Sequence, residues 1–360
     1  MNDDVRRHYE THVYPRYPLL ASVRQCDTYA LNLASLHAWG NGVLPPEPVQ
    51  RILLAGCGSF SPYPTALANP GTPLTALDLS RASLRRARLH ALLHGCRAIA
   101  WEQGDLLDPS VAPGAYGFID CFGVLHHLPE PLAGLRALER RLAPGGILRI
   151  MVYSRGARRG AESIRRALRL LGISDLSSVK QLMARADRNS RFGRYLRESS
   201  EARFSAGIAD AFLHPLARTF RIDELMAMVA ETSLTPLRFT HHGAEPDVAA
   251  EVARLREIEQ ARSEETNFVL YLGRETAGGC GLAPDARVML NPGLRRCVGA
   301  LQLAPVVIPP RFGRPNPRLG WREKRFLRRF VRPVPVSALS ADELTQVRPF
   351  LEALFLVTFR

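Results

Sequence analysis

From Arg51 onward the chain alternates short apolar runs with amphipathic stretches. The runs RILLAG (51–56), LTALDL (74–79), AIAWEQ (98–103), GFIDCF (117–122) and GILRIMVYS (146–154) have strand length and end in turn residues. Between them, SRASLRRARLHALLHG places Ser80 as an N-cap and Gly95 just past its end. PEPLAGLRALERRLAPGG sets Leu132, Leu135, Leu138 and Leu142 on one stripe before Pro144. Strand and helix periods in strict alternation predict an α/β fold, a parallel sheet with helices on both faces. Upstream, DTYALNLASLHAW reads as a helix stopped by the proline joint LPPEP (44–48). Downstream, residues 155–215 read as mostly helical, with Ile164, Leu168 and Leu171 at helical spacing beneath an arginine-rich face. RIDELMAMVAETS (221–233) continues as an amphipathic helix. The strands LTPLRFT (234–240) and TNFVLYLGR (266–274), joined by a short surface link, close the unit. The final stretch begins with the capping box Ser340-x-x-Glu343, predicting a helix and then a strand.

Composition and patterning divide the 360 residues into three parts: an N-terminal helical segment (1–48), the α/β domain with its helical insert (49–275), and a Pro/Arg-rich extension (276–360). The extension alone carries a local charge of +9, from 14 Arg plus Lys against 5 Asp plus Glu over residues 281–360. A net charge of +14 invites an anionic partner, but only Lys180 and Lys324 are lysines, and an arginine bias of that kind also follows from GC-rich coding. Nucleic acid is therefore the weaker partner reading. Six cysteines lie scattered without paired spacing, so no metal site is expected and reduced thiols in the cytoplasm are the simpler reading. The charged start MNDDVRRHYE and the lack of a long apolar run argue against a leader peptide or a membrane span.

The candidate chemistry lies at the strand ends. In RILLAGCGSF, Gly56 and Gly58 can make a turn that brings backbone close to a ligand and aims free N–H groups at it. The dinucleotide fingerprint wants a third glycine three residues beyond Gly58, where Ser61 stands, and the shorter glycine-rich turn would put one where Phe60 stands. Asp78, 20 residues after Gly58, ends the second strand where a carboxylate can take both ribose hydroxyls, and Asp105 ends the third. Three strand ends thus converge on one crevice.

The pieces LLAGCGSF, TALDLS, GDLLD and FIDCFGVLHHLPEPLAGLRALERRLAPGG, in this order and spacing, resemble the class I S-adenosylmethionine-dependent methyltransferases. The resemblance covers residues 51–154. It implies a Rossmann-like sheet of seven strands with the last antiparallel, extended here by the insert and the basic C-terminal segment. A narrower resemblance joins Tyr9-Glu10-Thr11-His12-Val13-Tyr14-Pro15-Arg16-Tyr17 to a bacterial subgroup with a YE-x-x-PYPRW-like signature. Carried over by position, the resemblance implies S-adenosyl-L-methionine as cofactor. Gly56 and Gly58 would lie beside its methionine part, and Asp78 with Leu79 at the ribose. Asp105 and Leu106 would meet the adenine, and Cys121, Phe122 and Gly123 the sulfonium end, with Tyr14 closing over it. The family often places an acid two residues before the first glycine; this chain has Leu54 there.

Methyl transfer needs alignment and a dry pocket, and a base only for acceptors that hold their proton. His126 and His127 are the candidate catalytic residues, with loop anchoring as their alternative role. Cys121 lacks the proline–cysteine context of cytosine-5 methylation, and no Asn/Asp-Pro-Pro-Tyr run follows the fourth strand. Arg155, Arg158, Arg159, Arg165 and Arg166 of the insert could receive a substrate anion, although a solvated helix face is the favoured reading of them. The expected function is methylation of a small-molecule acceptor, natural products included. An RNA- or ribosome-associated methyltransferase and a catalytically silent cofactor-binding interaction protein stand as alternatives, and a nicotinamide enzyme comes last.

Overall fold

A computed structural model describes residues 2–199, 201–263, 266–299 and 304–360. Seven strands form the central sheet: β1 (Ile52–Ala55), β2 (Leu74–Asp78), β3 (Ile99–Gln103), β4 (Tyr116–Phe122), β5 (Leu142–Val152), β6 (Leu234–Phe239) and β7 (Phe268–Arg274). Their order is β3-β2-β1-β4-β5-β7-β6. The first five run parallel, and β7 is antiparallel to both of its neighbours. This is the expected class I methyltransferase sheet. β1 is buried at every position, as a central parallel strand covered on both faces must be.

Helices Pro131–Arg141, Ile222–Ala230 and Val248–Ala261 cover one face and enclose Leu53, Ile119, Leu148 and Leu270. The third of these stands where a surface link was expected between the last two strands. Its stripe Val248, Val252, Leu255 is short, but Asp247 caps it through the Ala250 amide at 2.8 Å. The expected helix over DTYALNLASLHAW is broken in two. Asn32 ends a 3₁₀ segment (Gln25–Leu31) and caps the helix Leu33–Asn41 by accepting the Ser35 amide at 2.9 Å.

The C-terminal segment packs into the opposite face. β8 (Arg287–Leu290), β9 (Val334–Pro335) and β10 (Leu356–Phe359) form an antiparallel sheet of order β10-β8-β9. Its apolar residues share one cluster with Tyr29, Leu36, Leu54 and Tyr271. Asn291 Nδ2 donates to the carbonyls of Tyr29 and Leu354, and the Tyr271 hydroxyl donates to Ala30 O. The Ser340 capping box and the helix–strand order after it occur as the sequence predicts.

Candidate active site

The sheet's C-terminal edge opens on a cavity of about 660 Å³, within the range of small-molecule and cofactor sites. At its centre Asp78 Oδ2 accepts the Gly58 amide at 2.7 Å and Oδ1 the Ser80 amide at 2.9 Å. Burial raises this carboxyl to about 6, against the pull of those two N–H groups. Gly56 and Gly58 both have left-handed backbone, at φ +75° and +56°. A Cβ on Gly56 would meet Val124 Cγ2 at 2.3 Å, and one on Gly58 would meet the Tyr14 carbonyl at 3.0 Å. Gly56, Gly58, Asp78, Leu79, Asp105, Leu106, Phe122, Gly123 and Tyr14 all line the cavity. Cys121 does not. It is fully buried within β4, and burial pushes its thiol well up, so it is core.

The N-terminal segment closes over this edge by contacts that begin at its sequence signature. Glu10 accepts the Arg81 and Ala82 amides at the start of the helix after β2. The Tyr14 carbonyl accepts the Ser59 amide at 3.3 Å, and Ser59 Oγ donates to the Pro15 carbonyl. Tyr17 packs on Phe60 with ring centroids 4.6 Å apart, while Phe60 also stacks on His90 at 5.1 Å. Phe60, the residue in place of a glycine, thus seats the segment that covers the loop. Arg16 is exposed and does not line the cavity.

Beyond Gly123 the cavity runs to a polar arm. Asp210, from helix Ser205–Leu213 of the insert, accepts the Tyr9 hydroxyl at 3.0 Å and the Tyr153 hydroxyl at 3.2 Å. Arg158 lies 3.8 Å over the Tyr153 ring and reaches Glu201 at 2.8 Å. His127 Nδ1 bonds the Leu216 carbonyl at 2.7 Å, which requires the proton on Nδ1 and leaves Nε2 as a bare acceptor. Burial lowers His127 to about 4, so it is neutral at pH 7. His127 lines the cavity, whereas His126 packs beneath it, its ring stacked on Tyr153 at 3.6 Å. Of the two histidines, only His127 lines the cavity.

His8, Asp210 and His214 bring potential ligand atoms within 4.8 Å of one another. His214 Nδ1 accepts the Leu216 amide at 3.1 Å, so its proton stays on Nε2 and neither nitrogen offers a free lone pair.

Four of the five candidate arginines of the insert already have partners within the chain. Arg155 pairs with Glu224, Arg158 with Glu201 and Arg165 with Glu162, while Arg159 donates to the Arg262 carbonyl. Sequence reasoning missed Asp210 and Glu201, although a lone acid inside the apolar run SAGIADAFL was a signal, since burying a carboxylate is costly unless it is partnered. It also missed the Arg149–Asp120 pair, which lines the cavity with contacts of 2.8 and 2.7 Å. The C-terminal segment adds Pro310 and Arg311 to the wall, which no motif announced.

A family model described as a methyltransferase domain matches residues 53–148. An uncharacterised protein of Synechococcus sp. is 29% identical over 74% of this chain and 70% of its own length. Ubiquinone biosynthesis O-methyltransferases of Paracidovorax citrulli and Sodalis glossinidius are 30% and 36% identical over 33% and 27% of this chain; the matches span 50% and 39% of those proteins. The chain thus spans half or less of these named enzymes. Among solved structures, PKMT2 from Rickettsia typhi superimposes with a TM-score of 0.56 at 14% identity, over 96% of this chain and 77% of that one. A second structure of PKMT2, in complex with AdoHcy, gives 0.55 over the same shares. Residues 53–148 thus match a methyltransferase domain, and the strand order and the superposition give the whole chain the class I methyltransferase fold.

Proposed function

We propose that this chain transfers the methyl group of S-adenosylmethionine to a small-molecule acceptor. The observation that carries the reading is Asp78. One carboxylate, at the end of β2, holds the Gly58 turn and faces the cavity that continues to His127 and Tyr153. The residues present suit the cofactor. Asp78 is an acceptor for paired hydroxyls, Gly56 and Gly58 bare their backbone, and Asp105, Leu106, Phe122 and Gly123 line the adjoining wall. When bound, the cofactor supplies a carbon already activated by its sulfonium.

The chain's part is alignment and exclusion of water. Helix Asn2–Thr11 and the segment through Tyr17 cover the edge, the insert contributes Glu201 and Asp210 as a far wall, and His127 Nε2 can accept a hydrogen bond from the acceptor. The N-terminal segment belongs, in this reading, to the YE-x-x-PYPRW-like subgroup, since its Tyr9, Glu10, Tyr14 and Tyr17 all make closing contacts. Ubiquinone biosynthesis O-methyltransferases among the relatives support a small-molecule acceptor. The RNA reading has less support, because C-terminal arginines such as Arg314, Arg329 and Arg360 pair with Glu245, Glu343 and Asp285. Six free cysteines support work in a reducing cytoplasm, and among the described residues no helix is long and apolar enough to cross a membrane.

Calorimetric titration with S-adenosylmethionine and S-adenosylhomocysteine tests the reading, with NAD as control and Asp78→Ala alongside. Micromolar binding of the first two, lost in the variant, is expected. Equal binding by the variant, or binding of NAD alone, overturns it.

A further inference from the structure

The polar arm of the cavity has an unusual hydrogen-bond parity. Tyr9 and Tyr153 both donate their hydroxyl protons to the Asp210 carboxylate, so each oxygen shows the cavity only lone pairs. His127 spends its one N–H on the Leu216 carbonyl and likewise shows a lone pair. Glu201 and Asp210 line the same arm as carboxylates. Of the two arginines that line the cavity, Arg149 and Arg311, Arg149 is paired with Asp120. Arg158 is turned to Glu201 and the Tyr153 ring and is not among the lining residues. These groups form one cluster. The His127 ring lies 5.7 Å from Tyr153 and 6.2 Å from Tyr9 by centroid, and Arg158 links Tyr153 to Glu201.

Where Tyr9, Tyr153, His127 and Asp210 form the wall, an acceptor-only ligand group is left unpaired on both sides, which is unfavourable for buried polar groups. A ligand with several N–H donors and a positive charge satisfies the wall, and the half-buried Tyr14 adds an aromatic face that attracts cations. We propose that the methyl acceptor is an amine, bound as its ammonium between Tyr9, Tyr153, Asp210 and Glu201, so that the chain is an N-methyltransferase. This rests on the methyltransferase reading above and adds the acceptor's chemical class.

The transfer balances as follows. The ammonium gives one proton through the Asp210–tyrosine group to water, which frees a lone pair. That pair forms the N–C bond while the C–S bond breaks and its electrons stay on sulfur. The products are a methylated ammonium and S-adenosylhomocysteine.

The test uses full-length protein saturated with S-adenosylhomocysteine and titrated calorimetrically with benzylamine, benzyl alcohol and benzoate. Benzylamine should bind at least tenfold tighter than either isostere. Tyr153→Phe, which keeps the ring under Arg158, and Glu201→Gln should each cut that preference several-fold while S-adenosylhomocysteine affinity stays within twofold of wild type. Benzyl alcohol or benzoate binding as tightly as the amine, no measurable benzylamine binding at millimolar concentration, or a preference unmoved in both variants would overturn the proposal. Failure to bind S-adenosylhomocysteine at all would instead strike the methyltransferase reading, and the first titration registers it separately.

Discussion

Asp78 Oδ2 accepts the Gly58 amide at 2.7 Å, so the acid that ends β2 also fixes the turn that follows β1. Under the proposed function this couples cofactor affinity to one proton. The folded carboxyl has a pKa of about 6, raised by burial, and only its ionised form can accept N–H and O–H donors at both oxygens.

S-adenosylhomocysteine affinity should accordingly be flat from pH 7 to 8, half lost near pH 6, and weaker by up to about tenfold per unit below that. In Asp78→Asn the Nδ2 group must face either the Gly58 or the Ser80 amide, donor against donor, so affinity should drop about 10- to 100-fold and lose its acid dependence. Calorimetry at five pH values decides it. A wild-type profile without a step between pH 5 and 7 would remove Asp78 from the site.

Phe60 supports the N-terminal cover through Tyr17 and is backed by His90. Phe60→Ala should remove roughly 1–3 kcal/mol of packing from this local contact and leave the sheet intact. The expected readout is faster amide exchange over residues 9–20 with unchanged exchange in β1, β4 and β5, together with weaker cofactor binding. Phe60→Leu should recover part of both. Unchanged exchange over residues 9–20 would show that Glu10 and Tyr14 seat the cover without it.

His127 and His126 should separate in kinetics. His127→Gln removes a bare acceptor from the cavity wall and should lower kcat about 10- to 100-fold with cofactor affinity preserved. His126→Gln puts an unpartnered amide under the Tyr153 ring, so its main effect should be a lower Tm. Equal kcat losses at equal Tm in the two variants would contradict this division.

Much of this was legible in the chain because local rules and tertiary rules agree there. All seven strands stand where alternation put them, and the Ser80 and Ser340 caps work as their spacing implied. β5 begins at Leu142 rather than at Gly146, because pairing with β4 extends across the turn residues that marked a strand start. The parts not legible are those fixed by distant partners. Asn32 splits a helix because its side chain finds Ser35 and the Ala68 carbonyl. The C-terminal segment, read from its prolines and arginines as an appendage, buries Phe330, Phe355 and Leu356 in the main core. Asp210 acquires meaning only when Tyr9, 201 residues earlier, arrives beside it.

The histidines around Asp210 predict how stability depends on pH. Burial lowers His8 and His127 to about 4, and pushes His126 and His214 further down. In the unfolded chain each titrates near 6.5. Between pH 6.5 and 4 the unfolded state therefore binds protons that the folded state refuses, and stability must fall as pH falls through that window. Asp78 acts in the opposite sense between about 6 and 3.8, since its folded carboxyl keeps a proton that the unfolded one releases. Glu251, held down to about 2 by His241 and Arg254 against its own burial, loses its contribution only below 4.5. Burial also raises Asp210, which acts like Asp78, and it also lowers His12, His37 and His90. Seven lowered histidines outweigh two raised carboxyls, so Tm should be several degrees lower at pH 5 than at pH 7. His8→Phe, whose ring can still meet His214, removes one titrating group and should narrow that gap. A Tm unchanged or higher at pH 5 would mean that the cluster accepts protons in the folded state.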